Sequence, residues 1–298
     1  MTQFDPSLLP HLAPSAAAVA QLQDDLRIRA VRTERWVGFS RARHVLEHLQ
    51  SLRDDPPSTR PPGIAVFAHS GMGKTMLVEK FRRNNPPTNH LAHGVESTPV
   101  ISITLTSRPN ERRIYAQLLA ALDIGIDQRA ATLADLEGRA VRLLKQAGVR
   151  VLVFDEIHNL LAGSPREQRV VLQLLRFLSN ELKASLVCLG IAEAREAIAG
   201  DVQLARRLDQ IALPRWKADA EFQALISAVL RSLPLRHPSA LSAQSIRHIA
   251  RVSEGITAKI FSMMNQLAIE AIRNGTDRII DDAVEAWKPA IEKEAAFA

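Results

Sequence analysis

The stretch from Ala68 to Thr75 constrains the fold of this chain more than any other segment. It reads Ala-His-Ser-Gly-Met-Gly-Lys-Thr, the Walker A pattern with alanine in place of its first glycine. Glycines let the backbone curl so that successive N–H groups point at a phosphate, and the start of the next helix favours the same anion. Because apolar residues precede it at 63–68, the pattern predicts a strand, a phosphate-binding loop and a helix in succession.

Side chains of this loop have expected roles toward ATP and Mg²⁺. Lys74 would reach the β- and γ-phosphates, and the hydroxyl of Thr75 would hold Mg²⁺. The alternative is a chance Gly-Lys-Thr, since so short a pattern also occurs without function. The residues that we predict to bind nucleotide here are Ser70, Gly71, Met72, Gly73, Lys74, Thr75 and Met76.

A second motif makes the chance reading untenable. Residues 151–156 read Val-Leu-Val-Phe-Asp-Glu, an apolar strand that ends in paired carboxylates. Asp155 would bind Mg²⁺ at the carboxyl end of the strand, and Glu156 would orient or deprotonate the attacking water. The two motifs together predict a P-loop ATPase with Asp155, Glu156 and Lys74 as catalytic residues.

Strands that alternate with helices define the predicted fold class. Strands are expected at 63–68, 100–105, 150–154, 185–190 and 211–214, with helices between them, and only helices follow residue 219. This alternation indicates an α/β protein with a parallel sheet flanked by helices and a small all-helical lid domain. We predict an N-terminal helical extension at 1–55, a P-loop core at 56–216, and the lid with a C-terminal tail at 217–298.

Composition limits the partners and the compartment. The 298 residues include 38 Lys and Arg against 32 Asp and Glu, a formal net charge of +6 that permits binding to a polyanion without proving it. No apolar stretch is long enough to span a bilayer, so we expect no membrane partner and a cytoplasmic location. The single cysteine, Cys188, falls in an apolar run and is expected to be a buried small hydrophobe.

Several longer stretches give a specific resemblance. The order of the two motifs and a helical lid resembles AAA+ ATPases, and the finer stretches resemble the TniB family of transposition ATPases, which are relatives of TnsC. The resemblance extends over residues 25–285. It rests on Asp-Glu-Ile-His-Asn-Leu-Leu-Ala-Gly-Ser at 155–164, Arg-Glu-Gln-Arg at 166–169, Leu-Ser-Asn-Glu-Leu at 178–182, Leu-Pro-Arg-Trp at 213–216 and Leu-Pro-Leu-Arg at 233–236.

The resemblance implies roles outside the two motifs. Arg207, with Arg206 as the fallback, resembles the arginine finger that reaches the γ-phosphate held by a neighbouring subunit, which implies a ring or filament. Lys259 resembles the sensor 2 cation, although a solvated lysine explains it nearly as well. Trp36, Val37 and Gly38 stand where such ATPases wrap the adenine, and simple core packing competes with that role.

Two departures from the family pattern and one basic region complete the prediction. Ile191 stands where the family usually has the threonine of sensor 1, which together with Ala68 predicts slow hydrolysis. In TnsC-like relatives, loops at the positions of four arginines touch DNA phosphates, a contact that suits guanidinium groups. These arginines are Arg108, Arg112, Arg113 and Arg129, and an ordinary solvated basic loop is the alternative.

The resulting hypothesis is an ATP-dependent transposition regulator of the AAA+ class. The resemblance implies that it assembles with ATP and Mg²⁺ on double-stranded DNA as a homo-oligomer and recruits a TniA-like transposase and a TniQ-like protein. One alternative is a nucleotide-gated DNA-binding scaffold with negligible hydrolysis. Another is a different AAA+ ATPase of DNA metabolism, such as a helicase loader.

Overall fold

The computed structural model describes residues 9–90, 95–124 and 131–288. Contacts divide them into two compact units. The first, which we call the P-loop unit, is Arg41–Pro214. The second, the helical unit, consists of the described residues of Met1–Ser40 and Arg215–Ala298. This grouping differs from the predicted division at 1–55, because residues 9–40 cluster with the C-terminal helices.

A parallel sheet of five strands forms the centre of the P-loop unit. Its order is β4-β5-β6-β1-β7, and all neighbouring strands are parallel. A separate antiparallel hairpin pairs β2 with β3. The strands, numbered along the chain, are β1 Gly63–Ala68, β2 Thr88–His90, β3 Val95–Ser97, β4 Val100–Thr104, β5 Val151–Asp155, β6 Ser185–Gly190 and β7 Leu208–Leu213.

Burial explains why these segments form strands. All positions of β1, β5 and β6 are buried, as expected for strands covered by helices on both faces. A Cβ on Gly63 would lie 2.5 Å from the carbonyl oxygen of Leu186, so only glycine fits where β1 passes β6. Cys188 is fully buried in β6, and this burial raises the pKa of its thiol to about 12. It is thus a packing residue, as predicted.

Helices of the P-loop unit begin at clear sequence signals. Thr132 and Asp135 form a capping box at the start of α6, and Ser164 and Glu167 form another at α7, which has Pro165 in its first turn. A 3-10 helix at Ile157–Ala162 follows β5. The α-helices are α3 Ser40–Asp54, α4 Lys74–Asn84, α5 Glu111–Ala120, α6 Leu133–Gln146, α7 Pro165–Leu182, α8 Ala194–Ala199 and α9 Val202–Ala205.

The helical unit is tied together by a buried charge. Arg27 is fully buried and donates to a carboxylate oxygen of Asp277 and, from Nε at 3.1 Å, to the carbonyl oxygen of Pro234. A buried guanidinium needs such partners, so the N-terminal and C-terminal segments depend on each other. The helices are α1 Pro14–Ala20, α2 Asp24–Arg32, α10 Ala220–Ser232, α11 Ala243–Val252, α12 Thr257–Arg273 and α13 Asp281–Ala286.

The predicted fold class is confirmed, with differences in detail. The single helix expected near 16–35 is two helices, and β7 begins three residues earlier than predicted, at Leu208. The hairpin β2–β3, the short helices α8 and α9, and the 3-10 helix were missed, because segments this short carry little periodicity. Within the described residues, no helix is long and apolar enough to cross a membrane.

Candidate active site

The loop between β1 and α4 has the backbone of a phosphate cradle. Gly71 and Gly73 have φ values of 78° and 92°, the left-handed region that glycine adopts without strain. Nothing lies within 4 Å of a Cβ built on Gly73, so backbone conformation, and not space, requires glycine there. Met72 is buried, whereas Ser70 is exposed. The loop therefore holds its shape through one buried side chain and presents a polar outer surface.

Lys74 folds back over the end of β1. Only 6% of the residue is exposed, and its Nζ donates to the carbonyl oxygen of Ala68 at 3.1 Å. Burial lowers the pKa of this amine, while the charges of Glu156 and Asp155 act in the opposite direction. A partly dehydrated cation held next to a curled loop is suited to bind phosphate oxygens.

The two sequence motifs meet through one hydrogen bond. Thr75 Oγ1 donates to Asp155 Oδ2 at 2.8 Å, and Asp155 is only 3% exposed. The other oxygen, Oδ1, accepts the backbone N–H of Glu156 at 2.8 Å. Hydroxyl and carboxylate oxygens side by side are the hard donors that Mg²⁺ prefers, so this pair fits the predicted metal site.

Glu156 stands at the carboxyl end of β5 in an unusual conformation. Its φ of 56° and ψ of 40° lie in the left-handed region, which costs a non-glycine residue about 1–3 kcal/mol. Its Oε2 lies 3.0 Å from Nδ1 of His158, outside hydrogen-bond geometry, and that Nδ1 is buried without a hydrogen-bond partner among the described residues. The strained backbone turns the carboxylate away from Asp155, which separates the two carboxylate roles.

The end of β6 supplies no polar side chain to this region. Phe67 of β1 pairs with Gly190, and Ile191 follows with a half-buried aliphatic side chain. A Cβ on Gly190 would lie 2.8 Å from Cγ2 of Ile157, which brings this strand end against the 3-10 helix. Ile191 therefore follows the strand that lies between β1 and β5, and its side chain offers no hydrogen bond.

Arg207 lies in the short connection between α9 and β7. Its Nη1 donates to Asn180 Oδ1 at 2.7 Å. Burial lowers the pKa of the Arg207 guanidinium, and repulsion from Arg60 and Arg176 adds to this effect. Arg206, the fallback candidate, is exposed at the C-terminal cap of α9.

The predicted basic loop borders a groove of about 570 Å³. Arg108 and Arg113 line it, together with Arg166 from the first turn of α7. Arg108 Nε donates to the Ala162 carbonyl oxygen at 3.2 Å, and Arg113 Nη1 to that of Ser107 at 3.3 Å.

The other two predicted DNA contacts are not at this groove. Arg112 does not line it, and its Nη2 donates to the Ala131 carbonyl oxygen at 2.7 Å. Arg129 lies outside the described residues.

The remaining predicted nucleotide contacts belong to the helical unit. Trp36 is half-buried, Val37 is buried and Gly38 is exposed. Lys259 is exposed and pairs with a carboxylate oxygen of Glu254, which also lies 3.6 Å from Nη1 of Arg215. Their roles toward adenine and phosphate stay predictions.

Comparison with protein families agrees with the motif geometry. The family described as bacterial TniB protein matches residues 27–218, more than half of the chain. The chain belongs to the TniB family. Comparison with curated protein sequences gives no match.

Solved structures similar to this TniB-family chain share its AAA+ fold. The ORC2 protein of Aeropyrum pernix, in its ADPNP–ADP complexes, has a TM-score of 0.62 at 14% identity, covering 86% of this chain and 70% of that one. The ORC1 protein of Aeropyrum pernix in complex with DNA has a TM-score of 0.59 at 16% identity, covering 87% and 68%. A RuvB variant from Thermotoga maritima has a TM-score of 0.52 at 14% identity, covering 86% and 71%.

The structure of this TniB-family chain brings together Lys74, Thr75, Asp155 and Glu156. It also reveals contacts that sequence reasoning missed, namely Asn180 at Arg207, Arg166 in the groove and the close approach of His158 to Glu156. Asn180 and Arg166 lie in the stretches that carried the family resemblance, so the signal was present but had no assigned role.

Proposed function

We propose that this chain is an ATPase that regulates DNA transposition. It binds ATP and Mg²⁺, assembles into a homo-oligomer on double-stranded DNA, and recruits a TniA-like transposase and a TniQ-like partner to the target. The observation that carries the proposal is the hydrogen bond between Thr75 and Asp155, with Glu156 next to it, in a chain of the TniB family.

The residues of the P-loop unit divide the reaction between them. The N–H groups of the loop and Lys74 bind the phosphates, and Thr75 with Asp155 would hold Mg²⁺. When bound, Mg²⁺ supplies positive charge that offsets the charge on the phosphate oxygens. Glu156 accepts a proton from, or orients, the water that attacks the γ-phosphate, and its turned backbone aims the carboxylate for this role.

Lid and neighbour residues complete the proposed nucleotide site. Trp36, Val37 and Gly38 contact the adenine, Lys259 responds to the nucleotide state, and Arg207 reaches ATP bound to the neighbouring copy. In the nucleotide-free chain Lys259 pairs with Glu254, so we expect nucleotide to compete with this ion pair.

The groove that contains Arg108, Arg113 and Arg166 supports the DNA part of the proposal. Their guanidinium groups contact backbone carbonyls or line open space, so they remain able to bind phosphate oxygens. Such contacts position a protein on DNA without reading its sequence. Arg112 and Arg129 are further proposed contacts from the same region of the chain.

One observation favours a second candidate, the nucleotide-gated scaffold with negligible hydrolysis. Ile191 follows β6 where a hydroxyl would assist the lytic water, and its side chain cannot do so. In that case ATP binding alone would control assembly on DNA.

The test is ATP hydrolysis with and without duplex DNA, combined with sizing and negative-stain imaging in ATP, ADP and a non-hydrolysable analogue. The regulator proposal expects turnover stimulated by DNA and ATP-dependent rings or filaments. Assembly without turnover would support the scaffold. A monomer that responds to neither ATP nor DNA would overturn both.

A further inference from the structure

The contact between Asn180 and Arg207 joins two distant parts of the chain. Asn180 is exposed near the C-terminal end of α7, and Arg207 lies between α9 and β7. Arg207 Nη1 donates to Asn180 Oδ1 at 2.7 Å, a short hydrogen bond from a charged donor. An arginine side chain has many rotamers, so one directional bond near its tip restricts where the guanidinium points.

Charges around Arg207 leave its own charge uncompensated. Within the described part of the chain, no carboxylate forms an ion pair with Arg207, and Arg60 and Arg176 repel it. Asp201 is the nearby acid that attracts it.

Other groups already occupy that acid. The two oxygens of Asp201 accept from Arg176 Nη1 at 2.9 and 3.0 Å, and Oδ1 also accepts the N–H groups of Gln203 and Leu204. Arg207 is therefore oriented by a neutral oxygen and not by an acid.

We propose that Asn180 is a positioning residue that holds Arg207 ready for a phosphate without neutralising its charge. The inference rests on the proposed function, in which Arg207 reaches ATP bound to the next copy. A carboxylate at position 180 would hold the guanidinium more strongly, but it would also cancel charge that the developing negative charge of the reaction requires. An amide oxygen provides orientation alone.

The decisive variant is Asn180→Asp, which keeps the shape and the acceptor and adds only a negative charge. Because a misplaced or neutralised group can cost about 100-fold in rate, we expect a fall of about 10- to 100-fold in kcat at saturating ATP. KM should stay within about threefold, since Arg207 acts on the transition state more than on bound ATP. Asn180→Ala, which frees the side chain but keeps its charge, should lose less.

Stability separates positioning from a structural role. If Asn180 mattered only for folding, Asn180→Asp would gain an ion pair and keep its activity. Our proposal expects a melting temperature at least equal to that of the wild type together with the lower kcat. Gln173→Glu, which adds the same charge to an exposed position of α7, is the matched control and should keep wild-type turnover.

A mixing experiment tests the action between copies. Asn180→Asp has an intact ATP site and a weakened Arg207, whereas Glu156→Gln has the reverse. Mixing the two should restore turnover, as mixing Arg207→Ala with Glu156→Gln should. If the second mixture recovers and the first does not, the Asn180 proposal is wrong.

Single variants distinguish the failure of this inference from that of the proposed function. Wild-type turnover in Arg207→Ala would remove the role of Arg207 and with it the reason for Asn180. Loss of turnover in Arg207→Ala with full activity in Asn180→Asp would refute the Asn180 proposal alone.

Discussion

The phosphate-binding loop and the arginine groove of the P-loop unit both present cations, but they are built in opposite ways. In the loop, Lys74 is buried, hydrogen-bonded to the end of β1 and close to two carboxylates. In the groove, Arg108, Arg113 and Arg166 are exposed, and they come from a loop and a helix start. A buried cation suits one ligand in one geometry, whereas exposed guanidinium groups suit a polyanion that is held at several points.

The largest effect should come from changing the loop's catalytic carboxylate. Glu156→Gln removes the proton acceptor but keeps the shape, so we expect a fall in kcat of about 10²- to 10⁴-fold with ATP binding retained. Steady-state phosphate release and equilibrium nucleotide binding would measure this. Glu47→Gln, at an exposed position of α3, is the control. A variant that keeps wild-type turnover would remove Glu156 from the mechanism, and assembly on DNA should be unaffected.

The groove should show the reverse pattern. Replacing Arg108, Arg113 and Arg166 together by alanine should weaken binding to duplex DNA by about 10- to 100-fold and flatten its salt dependence by up to about three contacts. ATP binding in the absence of DNA should not change. Fluorescence anisotropy over a range of salt concentrations would measure both quantities.

A charge-matched variant tells a groove from a general electrostatic effect. Arg43, Arg83 and Arg139 are exposed elsewhere on the P-loop unit, and their replacement by alanine removes the same charge. Equal weakening in the two triple variants would mean that net charge, and not the groove, attracts DNA.

A smaller effect is expected at the end of β6. Ile191→Thr introduces the hydroxyl that the family pattern leads us to expect, and turnover should rise by up to about tenfold. Ile191→Val is the control, because valine has the shape of threonine without its hydroxyl. If both variants behave alike, a missing hydroxyl does not limit the rate.

The smallest effect concerns the cost of burying Lys74. Because burial lowers its pKa, the charged amine destabilises the nucleotide-free fold at neutral pH. Lys74→Met should therefore lose ATP binding while its melting temperature stays equal or rises by a few degrees, where ~1 kcal/mol corresponds to about 2–4 °C. The gain should shrink as pH rises toward the usual lysine value of 10.5, where the wild-type amine becomes neutral.

Differential scanning fluorimetry at neutral and high pH would measure this gain. Lys80→Met on the same helix α4 is the control, because that lysine is less buried. A clear loss of stability in Lys74→Met would show that the attraction of Asp155 and Glu156 outweighs burial.

Sequence alone determined the parts of this protein that depend on neighbouring residues. The loop from Ala68 to Thr75, the strand that ends at Asp155, and the capped starts of α6 and α7 follow from short patterns. Each pattern reports its own backbone needs, such as left-handed glycines or buried apolar runs. Five strands and their catalytic carboxylates were therefore predictable.

Tertiary structure decided what depends on packing between distant segments. Asn180 meets Arg207, Arg166 joins Arg108 at one groove, and Arg27 binds Asp277 so that residues 9–40 group with the C-terminal helices. No local pattern reports such pairs, because their distance is set by how strands and helices pack and not by spacing along the chain.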